Sequence, residues 1–334
     1  MNTACRMADN NRKDGGSMKN VICNAFAFKE DYLTSMQMGG KTDQKLLDIY
    51  MKNIFVSLKS ARIQNPQDDV MLVTNADLPE QYQMLFKEHE IQVRIIPYDI
   101  FVMPKQFCWS LAFFKLCALH YLTGQTAYEH ILLMDADTIT MKSYEELWKE
   151  ADYGVLLYGV GHSLNHHDRQ LIMEDYHRLY PEGKSNIVHY GGEFICGRRT
   201  ELQEFVKICL RVYNTMRDSG YNVSERTGDE TVWSIAAAQF GSIVNAAPYI
   251  YRFWTEEFYL VSTVTVSNPV AIWHIPSEKK TGFVRMFYYY EKHGAFPDAE
   301  RAAQMLGIVR AKRPFNRYTL ANKIQGKLAA FRKQ

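Results

Sequence analysis

Short apolar runs alternate with longer stretches in which apolar residues recur at helical spacing. Residues 21–28 form an apolar run of strand length, and residues 42–61 carry Leu46, Ile49, Tyr50, Ile54 and Leu58 three or four positions apart. A second strand is expected at 70–74, a helix at 79–88 and a third strand at 91–96. This β-α-β-α-β order predicts a mainly parallel sheet covered by helices on both faces. Residues 109–122 read as a strongly apolar helix leading into a strand that ends near Met134. Further strands are expected at 153–158 and 270–275, and the polar stretch 161–185 reads as a loop and helix over the functional site.

The first 18 residues, rich in Asn, Lys, Arg, Asp and Gly, predict a disordered leader. Residues 19–296 are expected to form one α/β domain, and residues 297–334 a basic helical extension. The chain has 334 residues, of which 47% are hydrophobic, enough for a sizeable core. A net charge of +2 gives no reason to expect a nucleic-acid partner. The six cysteines form no CxxC or Cys/His cluster, so core thiols in a reducing cytosol are expected. No signal-type apolar segment opens the chain, and no uncharged run reaches the roughly 20 residues that span a bilayer. A soluble or peripheral protein is expected, with the Asn222-Val223-Ser224 sequon incidental.

Against this background the run Ile131-Leu132-Leu133-Met134-Asp135-Ala136-Asp137 stands out, because an apolar strand delivers two carboxylates one residue apart. Alternation in a strand puts Asp135 and Asp137 on one face if the extended backbone holds past Met134. Paired hard oxygen ligands in the crevice beyond the strand ends suit Mg²⁺ or Mn²⁺ against a diphosphate. The competing interpretation is a solvated turn or helix cap, consistent with the Thr138 and Ser143 that follow.

Four other features carry chemistry. Lys115, the only basic residue between Trp109 and Leu119, must snorkel to water or find an anion. Gly191-Gly192 precede a short apolar strand, where missing Cβ atoms admit a ligand or a bulge. Asp229 and Glu230 open an apolar helix, either as simple N-terminal charges or as working carboxylates. His274 ends a strand ahead of Lys279 and Lys280, so it could add a nitrogen ligand while the lysines neutralise phosphate. The histidines at 162, 166, 167 and 177 match no zinc spacing and read as part of the polar loop and helix over the site.

The order Lys115, Asp135-Ala136-Asp137, Gly191-Gly192, Asp229-Glu230, His274 and Lys279-Lys280 resembles the retaining GT-A-fold glycosyltransferases from about residue 20 to 282. Phe114-Lys115-Leu116 and residues 131–144 look like glycosyltransferase family eight, the glycogenin and lipopolysaccharide galactosyltransferase family. Tyr190-Gly191-Gly192-Glu193-Phe194 is closer to family six. The resemblance implies Mn²⁺, or Mg²⁺, on Asp135, Asp137 and His274. It also implies donor contacts at Ala25, Phe26, Lys115, Asp135, Ala136, Gly191, Gly192, Lys279 and Lys280. The chain departs from family eight after His274, with neither Pro nor Trp following the lysines. Asp229 is the sugar-facing acid by analogy with family eight and Glu230 by analogy with family six, so both stay open.

The expected activity is transfer of a sugar from a nucleotide-sugar, most simply a UDP-sugar, to a glycan, glycolipid or protein acceptor, with retention. Two alternatives remain. Asp135-Ala136-Asp137-Thr138 also resembles the phosphatase Asp-x-Asp-x-Thr, although Ile139 breaks that pattern, and a non-catalytic nucleotide-sugar binder would need the same pocket. Residues 310–334 contain Arg310, Lys312, Arg313, Arg317, Lys323, Lys327, Arg332 and Lys333 and no acid, beside an apolar stripe of Leu320, Ile324, Leu328 and Phe331. Such a stretch could lie on an anionic membrane surface or dock on the domain.

Overall fold

The computed structural model describes residues 19–28, 44–255, 266 and 268–308. The predicted leader and the basic stretch 310–334 lie outside the described residues. In chain order the elements are β1 (Val21–Phe26), α1 (Gln44–Gln64), β2 (Asp69–Thr74), α2 (Glu80–Glu88) and β3 (Gln92–Ile95). A 3₁₀ turn (Ser110–Phe113) then leads into α3 (Phe114–Gln125), β4 (His130–Met134), β5 (Thr138–Thr140), α4 (Glu145–Glu150) and β6 (Val155–Gly159). The remainder comprises α5 (His167–Leu179), β7 (Tyr190–Arg198), α6 (Arg199–Asp218), α7 (Asp229–Gln239), β8 (Ile243–Asn245), β9 (Ile250–Arg252), β10 (Ile272–His274), α8 (Gly282–His293) and α9 (Ala299–Met305).

Seven strands form one sheet in the order β3-β2-β1-β4-β7-β6-β8, and β5, β10 and β9 form a second, smaller one. β1 pairs in parallel with β2 and β4, β2 with β3, and β6 with β8. Only β7 is reversed, running antiparallel to both neighbours. The chain is therefore a mixed α/β protein with a mostly parallel central sheet flanked by helices.

The inner strands read as continuous apolar runs because both faces are covered. Cys23, Leu133 and Ile195 face a layer containing α3, α5, α6 and α7, whereas Ile22, Leu132 and Phe194 face one containing α1, α2, α4 and α8. In the second layer Phe55 of α1 meets Phe287 and Tyr290 of α8 edge-on, with ring centroids 5.3 and 5.4 Å away. Ala302, Ala303 and Leu306 are fully buried in that layer, so the chain beyond residue 296 still contributes to the core. Among the described residues no helix is long and apolar enough to cross a membrane.

β1 is flanked by β2 on one side and β4 on the other, with α1 and α3 covering opposite faces. A crevice opens beyond strand ends where connections leave in opposite directions. Here that point lies beyond Phe26 and Met134, whose strands are in register with Asn24 opposite Met134. Asn24, buried within β1, donates from Nδ2 to the Met134 carbonyl at 2.9 Å and fixes the two ends together.

Candidate active site and metal centre

Strand geometry ends at Met134, and Asp135 to Asp137 form a turn between β4 and β5. The expectation that an extended backbone would align the two acids is corrected: the turn, not strand alternation, brings them together. Its bonds are specific. Asp135 N–H donates to Glu193 O at 3.0 Å, Thr138 Oγ1 to Asp135 O at 2.8 Å, and Ile275 N–H to Asp137 O at 3.0 Å. Pairing of β5 with β10 then places His274 opposite Thr138, beside the turn.

One ligand atom from each of Asp135, Asp137 and His274 lies within 4.8 Å of the other two. His274 Nε2 is 3.2 Å from Asp137 Oδ2 and 4.0 Å from Asp135 Oδ2, and Nδ1 is 3.4 Å from Glu193 Oε1. These are ion pairs rather than aligned hydrogen bonds, since neither buried ring nitrogen has a hydrogen-bond partner. Burial opposes charge on His274, but Asp137 and Glu193 outweigh it and hold the imidazolium up to about 9. Burial also opposes ionisation of Asp137, yet Lys279 and His274 keep its carboxyl well below the usual range. Two carboxylates and an imidazole form a donor set that suits a divalent ion such as Mn²⁺.

Lysines surround this group. Lys279 Nζ contacts Asp137 Oδ2. Lys115 does not snorkel: its ammonium turns inward, 2.9 Å from Asp135 Oδ1, 2.8 Å from Gly192 O and 2.7 Å from Asp229 Oδ2. Taking an unpaired ammonium out of water costs several kcal/mol, and two carboxylates plus a carbonyl offset that cost.

The second acid pair sits at the first turn of α7. Glu230 accepts from Gly192 N–H at 3.1 Å and lies 2.8 Å from His189 Nε2 and 3.2 Å from Arg252 Nη2. Burial opposes its ionisation, but Arg252 and His189 hold it well below the usual carboxylate range. Its side chain remains 33% exposed, whereas that of Asp229 is 6% exposed. Burial pushes the Asp229 carboxyl up to about 7, against the pull of Lys115.

Gly191 and Gly192 lie inside β7 rather than before it, and the chain itself accounts for both. A Cβ on Gly192 would stand 2.5 Å from Asp229 Oδ2, and one on Gly191 would collide with the Glu193 carboxylate and the Arg252 guanidinium. The glycines make room for the carboxylates and do not line the cavity.

That cavity, about 470 Å³, opens beyond the strand ends and has the size of a small-molecule site. Of the residues singled out in the sequence, Ala25, Phe26, Lys115, Asp135, Ala136, Asp137, Asp229, Glu230, His274 and Lys279 line it. Lys280 is exposed and does not. Sequence reasoning missed Glu193, Arg252 and His189. Arg252 forms a two-point ion pair with Glu193 and so links β9 to β7 behind His274. A signal existed for Glu193 alone: an acid within the apolar run Phe194-Ile195-Cys196 must be paired if the strand is buried. No family model matches the chain, and no curated protein matches it.

Proposed function

We propose that the chain is a GT-A-type, metal-dependent glycosyltransferase that moves a sugar from a nucleotide-sugar, with UDP as the assigned nucleotide, to a glycan, glycolipid or protein acceptor with retention. The observation that carries this reading is the convergence of Asp135, Asp137 and His274 in a cavity that also holds a second carboxylate pair and two buried lysines. A divalent ion on the first group would supply Lewis-acid stabilisation of the departing diphosphate. Lys279, beside Asp137 in the cavity, adds a positive charge where that diphosphate charge gathers. Phe26 and Tyr50, with ring centroids 5.1 Å apart on the cavity wall, offer an aromatic surface to the base.

The two acids of α7 divide the remaining work. Glu230, ionised and partly open to the cavity, faces the sugar and stabilises positive charge developing at the anomeric carbon. Its ties to Arg252 and His189 favour electrostatic stabilisation over nucleophilic attack. Asp229 is a positioning residue that holds Lys115 against Asp135.

The test is turnover and thermal stabilisation of the full chain with UDP- and GDP-sugars, with and without Mn²⁺. Metal-dependent stabilisation by a UDP-sugar is expected, with turnover lost in excess EDTA and reduced at least roughly 100-fold in Asp137→Asn, which keeps the side-chain volume. Full turnover in EDTA, or in a folded Asp137→Asn, overturns the assignment.

A further inference from the structure

A second set of histidines lies on the other side of Glu230 and shares no residue with the Asp135 group. His162 follows Gly161, whose backbone is left-handed at φ 73°. His166 caps α5, accepting from Asp168 N–H at 3.3 Å, and Asp168 lies in the first turn of that helix. One ligand atom from each of His162, His166 and Asp168 falls within 4.8 Å of the other two. The buried His189, immediately before β7, stands beside this group and outside the set within 4.8 Å, with its Nδ1 3.2 Å from Nδ1 of His162.

The protonation of His189 follows from its partners. An ionised carboxylate only accepts, so the 2.8 Å contact with Glu230 Oε2 puts a proton on His189 Nε2. In the neutral ring Nδ1 is then bare, and its lone pair points at another imidazole nitrogen. Nitrogen ligands at about 2.0–2.1 Å from a tetrahedral ion stand about 3.3 Å apart, close to this spacing. A metal-bound histidine whose far N–H meets a carboxylate is also the usual outer arrangement of such centres. Helix capping explains His166, ring stacking explains its 3.5 Å centroid distance from His162, and one N–H···N bond accounts for the facing nitrogens of His162 and His189, but none of these contacts uses the Asp168 carboxylate, which completes a group of three ligand atoms within 4.8 Å.

We propose that His162, His166 and Asp168, completed by His189, form a second cation site for an imidazole-preferring divalent transition ion of the Zn²⁺ class. Its donor set is nitrogen-rich, whereas the Asp135 group is oxygen-rich and suits Mn²⁺ or Mg²⁺. Glu230 is its outer carboxylate, so the ion would fix the His189 tautomer that holds Glu230 in place.

The probe is Co²⁺ alone, titrated into the full chain and read by its visible d–d absorption, with Zn²⁺ displacement monitored calorimetrically. Two binding classes are expected. Asp137→Asn should remove one, while His162→Ala and His166→Ala each weaken the other at least roughly tenfold and leave the first intact. Unchanged Co²⁺ stoichiometry and affinity in the histidine variants overturns the site. Melting curves establish that each variant is folded, and if His162→Ala is not, the partly exposed His166 decides the outcome through His166→Ala and His166→Gln. Failure of the Asp137→Asn arm alone would count against the first centre and not against this one.

Discussion

Lys115 is shared between Asp135 and Asp229, and this sharing sets the electrostatics of the site at the level of single residues. Asp229 is the more buried of the two acids, and burial raises its carboxyl from an ordinary 3.8 to about 7. A folded-state value above the unfolded one contributes stability that is complete below about pH 4 and lost as pH rises through 7. Asp229→Asn removes this titration. The stability of the wild type relative to Asp229→Asn should therefore fall between pH 5 and pH 8.5, by an amount of the order of 2 kcal/mol. Denaturant unfolding of both proteins at the two pH values checks it, and a pH-independent difference would show that Lys115 keeps Asp229 ionised throughout. At this scale the sequence named the residues but not their roles. Lys115 and the acids stood out as charges in apolar segments, whereas Arg252 lies in a short stretch with no pattern to separate it from any surface arginine. Its importance arises only from a partner 59 positions away, Glu193.

Among the elements, the turn after β4 and the small sheet jointly position the proposed metal ligands Asp135, Asp137 and His274. β5 begins one residue after Asp137, and its pairing with β10 decides which side chain of the 272–274 strand faces the turn. Because strand side chains alternate, a slip of one residue would replace His274 with Trp273. Thr138 guards this register: its hydroxyl donates to Asp135 O and lies 2.8 Å from Ser57 Oγ of α1, with no exposure to water. Thr138→Val keeps the shape and leaves both partners short of a bond, so it should cost about 1–3 kcal/mol in stability and weaken Mn²⁺ binding, while Thr138→Ser restores both. Denaturant midpoints and Mn²⁺ titration of the three proteins measure this, and a Thr138→Val protein with wild-type metal affinity would free the turn from the threonine. The sequence disclosed β1, β2 and β4 well, because buried parallel strands are near-continuous apolar runs, whereas the edge strand β3 is exposed and showed only as Val93 and Ile95 alternating with polar residues. It misled on the Asp-x-Asp backbone and the Gly pair, since nothing local distinguishes a strand from a turn at residue 135. The glycines answer to Asp229 and Arg252, which arrive from distant elements.

For the whole molecule, two helix layers enclose the sheet and leave its strand ends open, so the cavity, with Asp135, Asp137 and His274 in its wall, lies beyond the ends of β1 and β4. The overall plan was legible because β-α-β order and helical spacing are properties of whole segments. The convergence of loops at the strand ends was not, because it depends on long-range packing. The described core ends just after α9, where Leu306 is fully buried and Ile308 packs, partly buried, against the same apolar layer. Removing residues 310–334 thus takes away none of the described core. The segment's eight cationic side chains, named above, face no acid within the segment. Each Lys or Arg near an anionic surface contributes about 1 kcal/mol, attenuated within a Debye length of roughly 10 Å at 0.1 M salt. Several such charges in one segment exceed what a single exposed ion pair provides. Full-length protein should therefore bind vesicles containing phosphatidylserine at low salt and release them at high salt. A chain ending at Val309 should not bind, yet should melt at nearly the same temperature and keep its turnover on a soluble acceptor. Co-sedimentation with vesicles of graded phosphatidylserine content measures the first outcome and thermal melting the second. Equal sedimentation of both proteins would assign any membrane affinity to the α/β body, whereas a large fall in melting temperature would make the segment part of the core.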